Sequence, residues 1–416
     1  MLHKKNNEFK NSVQNYVNHY EDKNFRQVAS KVFKGWPSPL AETWRLSRLG
    51  SLSRKKIDPI IPDFKKKEPL KNILRDSISL KFIDGCYRKD LSNKLPDGIQ
   101  LTCLDDEESL NFLNKIKNTN LADHPSTFSS LSCSPSIIKI SIKSDFNFKD
   151  ILEIVYSGGK ENKSVHPVLF LELNKNSSLS IVERFSHSGS LIMPLQLIEI
   201  AESASLKSIK IYDDNINTYN LSVHSVLLSD KSSYDSFSLI KGGEFTRSET
   251  HASLKGENAD LNLNGVYISG IKQHHDLTTA IYHDVPNCTS KQIVRGVLGG
   301  ESTGVFQGKV RVAPNAQKTD GQQMSKAILL SDKATANAKP ELEIYADDVI
   351  CAHGATVGEL DDEQLFYLTS RGISKDKARE MLIKAFLEDI ITDSVDQRLH
   401  EYIFNEAKLG LSSILL

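Results

Sequence analysis

The chain has 416 residues, of which 52 are Lys or Arg and 53 are Asp or Glu, so its formal net charge is -1. This balance gives no electrostatic reason to expect nucleic acid or an anionic membrane as a partner. The length predicts two or three structural units rather than one small core. No stretch reaches the roughly 18 successive apolar residues that a membrane span requires.

The cysteines favour a reducing compartment. There are five of them, an odd number without any CxxC pair, which is more typical of reduced thiols than of a disulfide framework. The N-terminus lacks the apolar core of a secretory signal. We therefore expect a cytoplasmic protein.

The N-terminal part of the chain predicts a short helical unit and a linker. From about Glu8 to Arg48, apolar residues recur at helical spacing, and the run Gly35-Trp36-Pro37 interrupts them. A stretch rich in Lys and Pro follows and is typical of a solvated linker. We assign residues 1–75 to this helical region and linker, and residues 76–136 to a mixed segment that leads into the core.

Residues 137–355 predict a large all-β unit. Short alternating runs, such as Ile209 and Ile211 around Lys210, indicate strands with one buried face. Turn clusters separate these runs, and no long helical pattern lies between them. Such strands could close as a sandwich, a barrel or a β-solenoid, and the length of the strand-and-turn texture favours the solenoid.

Residues 356–416 predict a C-terminal helical domain. A first helix begins with acidic residues at Asp361 and ends at Arg371-Gly372, and Ser374 is the expected N-cap of a second helix. A third helix is expected from about Val395 to Ala407. The second helix should carry a continuous apolar stripe. The stripe comprises Ala378, Met381, Leu382, Ala385, Phe386 and Ile390.

The sequence contains no complete catalytic motif. The run from Gly296 to Gly304 is the nearest to a phosphate-binding loop, but it lacks the Lys-Ser/Thr end and is typical of a turn between strands. There is no GxSxG elbow, HExxH helix or GxGxxG after a strand. The sequence therefore contains no motif that would predict a hydrolase, a metalloprotease or a dinucleotide-binding enzyme.

One segment is rich in potential metal ligands. Imidazole and thiolate together suit iron, zinc or copper. Neighbouring residues of a strand face opposite sides, so His274 and His275 cannot both join one site. Surface and turn histidines on a β domain are the stronger interpretation, and a stand-alone metal-binding β protein remains an alternative. The ligands concerned are His251, His274, His275, His283 and Cys288.

Cys351 and His353 form a smaller candidate site. Residues two apart on a strand project from the same face, which would place a thiol beside an imidazole. These ligand types would accept an iron–sulfur intermediate, although two ligands are not a complete site. Spacing alone favours a buried cysteine and a capped histidine, whereas a partner chain could supply the missing ligands.

Two runs resemble the signature region of the SufB/SufD family of iron–sulfur cluster assembly proteins. They are VFQGKVRVAPNAQKTDG, residues 305–321, and EIYADDVICAHGATVGELDDEQLFYLTSRGI, residues 343–373. FKGWPSPLAETWRLS, residues 33–47, resembles the helical N-terminal region of the family. Ser325 stands where a SufB-type chain has its sulfur-accepting cysteine, and Gly354 replaces the glutamate beside the histidine. Within the family the sequence therefore resembles the SufD type.

The resemblance implies both a fold and a function. The fold would be mainly β, a right-handed parallel β-helix (β-solenoid) flanked by N-terminal and C-terminal α-helical regions. The function would be that of a non-catalytic scaffold subunit of the SUF complex, which pairs with SufB, binds the SufC ATPase and could form a homodimer when alone. A transient iron–sulfur cluster would form at the interface shared with SufB, and none would be stably bound to this chain by itself.

The resemblance also implies roles for single residues. The family's functional histidine at the SufB–SufD interface falls on His353, and its neighbouring cysteine falls on Cys351. The ATPase contacts of the family lie in the C-terminal helices, which makes Met381, Leu382 and Phe386 candidates for partner contact. A carbohydrate-active β-solenoid enzyme is a further alternative, and it would need carboxylates and aromatic rings clustered on one face.

Overall fold

The computed structural model describes residues 2–19, 24–38, 41–65, 72, 74, 77–122 and 124–415. The predicted linker lies partly outside these residues. The described part of the chain is mainly β, with a parallel β-solenoid of about 8 turns and helices at both ends. The predicted solenoid with helical ends is therefore confirmed. None of the described helices has the length and apolar character needed to span a lipid bilayer.

The α-helices lie before the solenoid, near its start and after it. They are α1 (Leu2–His19), α2 (Asn24–Val32), α3 (Asp106–Lys117), α4 (Pro125–Cys133), α5 (Asp362–Ser370), α6 (Lys375–Ser394) and α7 (Gln397–Leu415). The strands follow one another with short turns between most of them. They are β1 (Asp58–Pro59), β2 (Ile78–Ile83), β3 (Cys86–Tyr87), β4 (Ile99–Cys103), β5 (Ile137–Ile142), β6 (Asn147–Gly158), β7 (Lys163–Val165), β8 (Val168–Leu173), β9 (Ser178–His187), β10 (Leu191–Ile192), β11 (Leu195–Ile200), β12 (Ser205–Tyr212), β13 (Tyr219–Leu228), β14 (Ser233–Ile240), β15 (Phe245–Leu254), β16 (Asp260–Ser269), β17 (His274–His283), β18 (Thr289–Leu298), β19 (Thr303–Val312), β20 (Thr319–Leu329), β21 (Thr335–Ile344) and β22 (Val349–Gly358).

The chain visits two sheets alternately as it coils. Sheet A has the order β21-β19-β17-β15-β13-β11-β8-β5-β4, and sheet B has the order β22-β20-β18-β16-β14-β12-β9-β6-β2-β3. Neighbouring coils pair in parallel, whereas β2 with β3 and β4 with β5 pair antiparallel at the N-terminal end. Because each coil adds one strand to each sheet, residues in register form columns along the axis of the solenoid.

The main core fills the space between the two sheets. Its aromatic residues stack coil upon coil, with ring centroids 4.7 Å apart for Tyr156 and Phe185 and 4.9 Å apart for Phe185 and Tyr212. Toward the last coils, Phe306, Val310 and Val312 continue the same core. Stacking of like side chains in register is how a solenoid buries apolar surface without a long-range crossover.

Lys210 departs from the predicted strand pattern. The alternation Ile209, Lys210, Ile211 predicts one buried face, but both faces of β12 are covered. Ile209 and Ile211 pack against the C-terminal helices. Lys210 is buried and its Nζ lies 3.9 Å from Glu183 Oε2. The expectation of a single buried face was wrong because α6 and α7 cover the outer face of sheet B.

The predicted apolar stripe of α6 is only partly correct. Of its members, Ala378 and Ile390 are buried, whereas Met381 is 40% exposed and Leu382 and Phe386 are half-buried. The helix is apolar over more than one face, and the face that is buried is the one that packs against sheet B and α7. The buried residues of α6 are Ala378, Ile383, Leu387, Ile390 and Ile391.

The boundaries of the C-terminal helices also differ in part from the sequence expectation. Ser374 is the N-cap of α6, but its side chain makes no capping hydrogen bond. α5 ends at Ser370, and Gly372 follows with a positive φ of 88°. α7 continues to Leu415, beyond the expected end at Ala407.

The two ends of the solenoid differ. At the N-terminal end, α1, α2 and α4 pack with the outer face of sheet A in one apolar cluster that includes Trp44 and Leu195. At the other end, β21 and β22 are the last strands of their sheets, each paired on one side only among the described residues. We call the inner-face side chains of β21 and β22, with the unpaired edges beside them, the open end.

Candidate functional site

Cys351 and His353 lie together on the inner face of β22. They are in register with Gly321 and Gln323 of β20, which are both buried. A Cβ built on Gly321 would lie 3.3 Å from Cys351 Sγ, so the thiol points into the solenoid. His353 is exposed, since no further coil covers it. The predicted shared face of these two residues is therefore present in the structure.

The Cys351 thiol is half-buried at the rim of the core. Burial raises its pKa, and the nearby Asp320 adds to the effect. A raised pKa keeps the thiol protonated, whereas the thiolate is the form that binds metal. The surroundings of Cys351 in this chain therefore favour the thiol over the thiolate.

The inner face of β21 completes the open end with apolar side chains. Leu342 and Ala336 pack against the main core, and Ile344 is 40% exposed. Pro340 lies in this strand beside Gly308. Its ring removes one backbone donor from the exposed edge. The open end is thus an apolar surface that carries one imidazole and one thiol.

Charged residues near the open end are paired on the outer face of β21. Lys309 Nζ lies 2.6 Å from Glu343 Oε1. Lys339 Nζ lies 3.0 Å from Glu341 Oε1 and 2.9 Å from Glu42 Oε1 in the N-terminal segment. These pairs keep charge away from the inner face.

The histidine-rich segment does not form a metal site. His274 and His275 face opposite sides of β17, as predicted. The expectation of surface histidines was wrong for His275 and His283, which are both 0% exposed because they point into the solenoid. His251 Nε2 lies 2.8 Å from Glu249, outside sheet A, whereas His283 Nε2 lies 2.8 Å from Ser290 Oγ inside the solenoid. Throughout the described residues, no group of three or more His, Cys, Asp or Glu side chains is arranged to hold a metal ion.

A buried ion cluster outside sheet A was missed by the sequence reasoning. Arg247 is 1% exposed and its guanidinium lies 2.7 Å from both Glu249 and Asp276. Trp44 covers it, with the guanidinium carbon 4.2 Å from the ring centroid. Burial alone would raise the pKa of Glu249, but Arg247 and His124 outweigh it and hold that pKa well below its usual range. The cluster fastens the N-terminal segment to the solenoid.

A detectable signal for this cluster was present in the sequence. Arg247 and Glu249 are two apart on one strand, so they share a face that an all-β pattern would assign to solvent. The segment that contains Trp44 shields this face from solvent.

Both tryptophans are buried, with Trp36 8% exposed and Trp44 4% exposed. They line a cavity of ≈ 310 Å³ together with Phe33 and Phe128, and they expose little ring surface of the kind that a carbohydrate-active enzyme would need.

The run from Gly296 to Gly304 spans the turn between β18 and β19, as predicted. A Cβ on Gly296 would lie 2.2 Å from the Tyr267 ring, and one on Gly304 would lie 2.3 Å from it. Both glycines therefore make room for a buried tyrosine. Their role is packing inside the solenoid rather than phosphate binding.

Two of the three partner-contact candidates of α6 line a groove. The groove has a volume of ≈ 590 Å³, and Leu382 and Phe386 line it together with the ends of β20 and β22. The Arg295 guanidinium lies 4.9 Å from the centre of the Phe386 ring. Met381 is 40% exposed. These side chains are only partly used by the core of the domain.

Comparison with known proteins agrees with this arrangement. Residues 155–386 match the family model described as "SUF system FeS cluster assembly, SufBD core domain". The chain is 29% identical to the iron–sulfur cluster assembly protein SufD of Escherichia coli over 90% of this chain and 89% of that protein. It is 26% identical to the chloroplastic protein ABCI7 of Arabidopsis thaliana over 90% of this chain and 82% of that protein. It is 32% identical to SufD of Bacillus subtilis over 37% of this chain and 35% of that protein.

The family match covers the two signature runs up to α6, together with most of the solenoid. It confirms the family resemblance found in the sequence, and two of the three relatives described carry the name SufD. The chain belongs to the SufBD family of the SUF system and has a role in iron–sulfur cluster assembly.

Proposed function

We propose that this chain is a scaffold subunit of a SUF complex and pairs through its open end with a SufB-type chain. The supporting observation is that β21 and β22 end the solenoid with unpaired edges and a partly exposed apolar inner face. An uncovered sheet edge readily pairs with the strands of another chain. In the absence of SufB, the same edges would join two copies of this chain as a homodimer.

His353 and Cys351 would then lie at the interface where a nascent cluster forms. Together they offer one imidazole and one thiol, which is fewer than the four protein ligands of an ordinary cluster. The SufB-type chain would supply the remaining ligands. The cluster is therefore cargo shared between the subunits, and the isolated chain would hold none stably.

The second partner in this proposal is the SufC ATPase, which would contact α6. Met381, Leu382 and Phe386 form a partly exposed apolar edge beside a groove. An apolar helix edge next to a groove suits helix or loop docking. Movement driven by ATP would come from SufC, and this chain would remain non-catalytic.

We place this complex in the cytoplasm. Among the described residues all five cysteines are free, and Cys86 and Cys133 are buried without a disulfide partner. Such thiols persist in a reducing compartment.

The first experiment tests the interface. The full chain would be produced with a SufB-type protein and a SufC-type ATPase, and the complex would be purified through a tag on this chain. His353→Ala should retain both partners but lower the rate of cluster formation, followed by absorbance and by bound iron and sulfide. Ala352→Ser is the matched control, because Ala352 is exposed on the opposite face of the same strand.

Two results would contradict the proposal. Normal cluster formation by His353→Ala would remove the role of His353, and failure to co-purify with either partner would remove the scaffold role.

For the ATPase contact, Met381→Glu should weaken SufC binding while the protein stays folded. Ile383→Glu, at a fully buried position of the same helix, should instead unfold the C-terminal domain.

A further inference from the structure

Gln323 lies directly below His353 in the column that ends at the open end. The two residues are in register on β20 and β22, and Gln292 of β18 is the next residue down the column. Gln323 is 3% exposed and Gln292 is 0% exposed. Strands in a sheet are about 4.8 Å apart, so the side chain of Gln323 is within reach of the ring above it.

The carboxamide of Gln323 is buried without a hydrogen-bond partner. Among the described residues, neither its Nε2 nor its Oε1 is paired. Gln292 differs, since its Oε1 accepts a hydrogen bond from Thr279 and only its Nε2 is unpaired. A buried amide without a hydrogen-bond partner destabilises the folded chain, so its presence here requires an explanation.

The solenoid is shaped to hold this amide. On the facing sheet the residue opposite is Gly308, and a Cβ there would lie 3.1 Å from Gln323 Nε2. A larger side chain would therefore crowd the amide. The last coil adds Pro340 beside Gly308 and His353 beside Gln323. His353 is thus the polar side chain of β22 that is stacked on the unpaired amide.

We propose that Gln323 is a positioning residue for His353, whose ring donates one N–H to the carboxamide oxygen of Gln323. This bond would select one tautomer of the neutral ring and direct the lone pair of the other nitrogen away from the solenoid, toward the shared interface. Histidines that bind metals are commonly oriented in this way by an acceptor on their second nitrogen. The use of this geometry in cluster formation rests on the proposed function, but the hydrogen bond itself does not.

A glutamine suits this position better than an acid. Its oxygen accepts a hydrogen bond while the group stays neutral, so no unpaired charge is buried. The exposed ring of His353 can rotate toward it, because no further coil covers the residue. Gln323 thereby links a buried coil to an exposed candidate residue of the open end.

The experiment measures the tautomer of His353 in the full chain by ¹⁵N NMR of labelled histidine rings at alkaline pH. The spectrum of His353→Ala assigns the His353 signals. The wild-type ring should show one dominant tautomer, and Gln323→Leu should give a mixture. Gln323→Glu keeps an acceptor oxygen and should restore the single tautomer. Gln292→Leu, one coil farther from the open end, is the matched control and should leave the His353 signals unchanged.

In the complex, Gln323→Leu should lower the rate of cluster formation about tenfold, as expected for loss of an orienting partner of a metal ligand. A tautomer that is the same in the wild type and in Gln323→Leu would overturn the inference, as would a wild-type ring already present as a mixture. These outcomes are independent of the proposed function. If His353→Ala formed clusters normally, the proposed function would fail while the NMR result would still decide the role of Gln323.

Discussion

Glu183 and Lys210 face each other in register inside the solenoid, with Lys210 Nζ 3.9 Å from Glu183 Oε2 and both side chains 2% exposed. Lys210 also donates to Ser208 Oγ and Tyr234 Oη, at 3.0 Å each. Gln196 donates to Glu183. Burial raises the pKa of Glu183, and Lys210 opposes this effect. The charge on either residue depends on the other.

We therefore predict that Lys210→Met lowers the free energy of unfolding by about 3–5 kcal/mol, because it leaves a buried carboxyl group without its cation. Adding Glu183→Gln should recover much of the loss, since the carboxylate is then replaced by a neutral amide. Denaturant unfolding of the full chain measures both variants. A double variant no more stable than Lys210→Met alone would show that the pair is not the source of the effect.

The buried histidines predict a loss of stability in mild acid. Burial lowers the pKa of His274 and of His283 to about 4. An unfolded histidine takes up a proton near pH 6.5, so between about pH 6.5 and pH 4 the unfolded chain binds more protons than the folded chain. Stability is fully present above this window and falls as the pH falls through it.

Each such histidine contributes a slope of up to about 1.4 kcal/mol per pH unit in that window. His283→Gln retains a polar side chain beside Ser290 but cannot be protonated, so its unfolding free energy should depend less on pH. Denaturant unfolding at several pH values between about 4 and about 7.5 covers this window and measures how the unfolding free energy of each variant changes with pH. Equal slopes for the wild type and His283→Gln would contradict the prediction.

Ile271 is held in a conformation that its branched side chain disfavours. Its φ is 50°, and its side chain is 66% exposed at the turn between β16 and β17. The left-handed region costs a branched residue about 1–3 kcal/mol and suits asparagine or glycine. Ile271→Asn should therefore raise the melting temperature. Ile216→Asn removes another exposed isoleucine, 45% exposed, from a residue without positive φ, and it should have little effect.

Gly296 has no space for a side chain, because the Tyr267 ring occupies the position of its Cβ. We predict that Gly296→Ala lowers the free energy of unfolding by about 1–3 kcal/mol through overpacking. Gly358→Ala is the control, since nothing lies within 4 Å of a Cβ at Gly358. Equal stability of both variants in thermal unfolding would contradict the packing role of Gly296.

The sequence predicted strands with a buried face, since alternation such as Val310 and Val312 around Arg311 matches the buried and outward positions of β19. The length of this pattern favoured a solenoid, and the family resemblance identified it. The sequence was insufficient for Lys210, because alternation within a strand cannot reveal that helices distant in sequence will cover the outer face. The same limit applies to α6. Met381 and Ile383 are both apolar, and only the position of sheet B decides which is buried.

The open end was predictable in part. The spacing of Cys351 and His353 placed them on one face of a strand, and the family resemblance singled them out. Gln323 could not be linked to His353 from the sequence, because the length of each coil sets which residues stack. That length varies from coil to coil, so the register emerges only in the folded chain.

The difference between the two ends of the solenoid also bears on the size of any assembly. At the N-terminal end, β3 and β4 run antiparallel to the neighbouring coils, so this end does not present the parallel edges of the open end. Head-to-tail addition, which would extend without limit, would therefore not continue the parallel ladders. If two open ends pair face to face, as we propose, their free edges are used up and growth stops at a pair. We therefore expect this repeating fold to form discrete complexes rather than fibres.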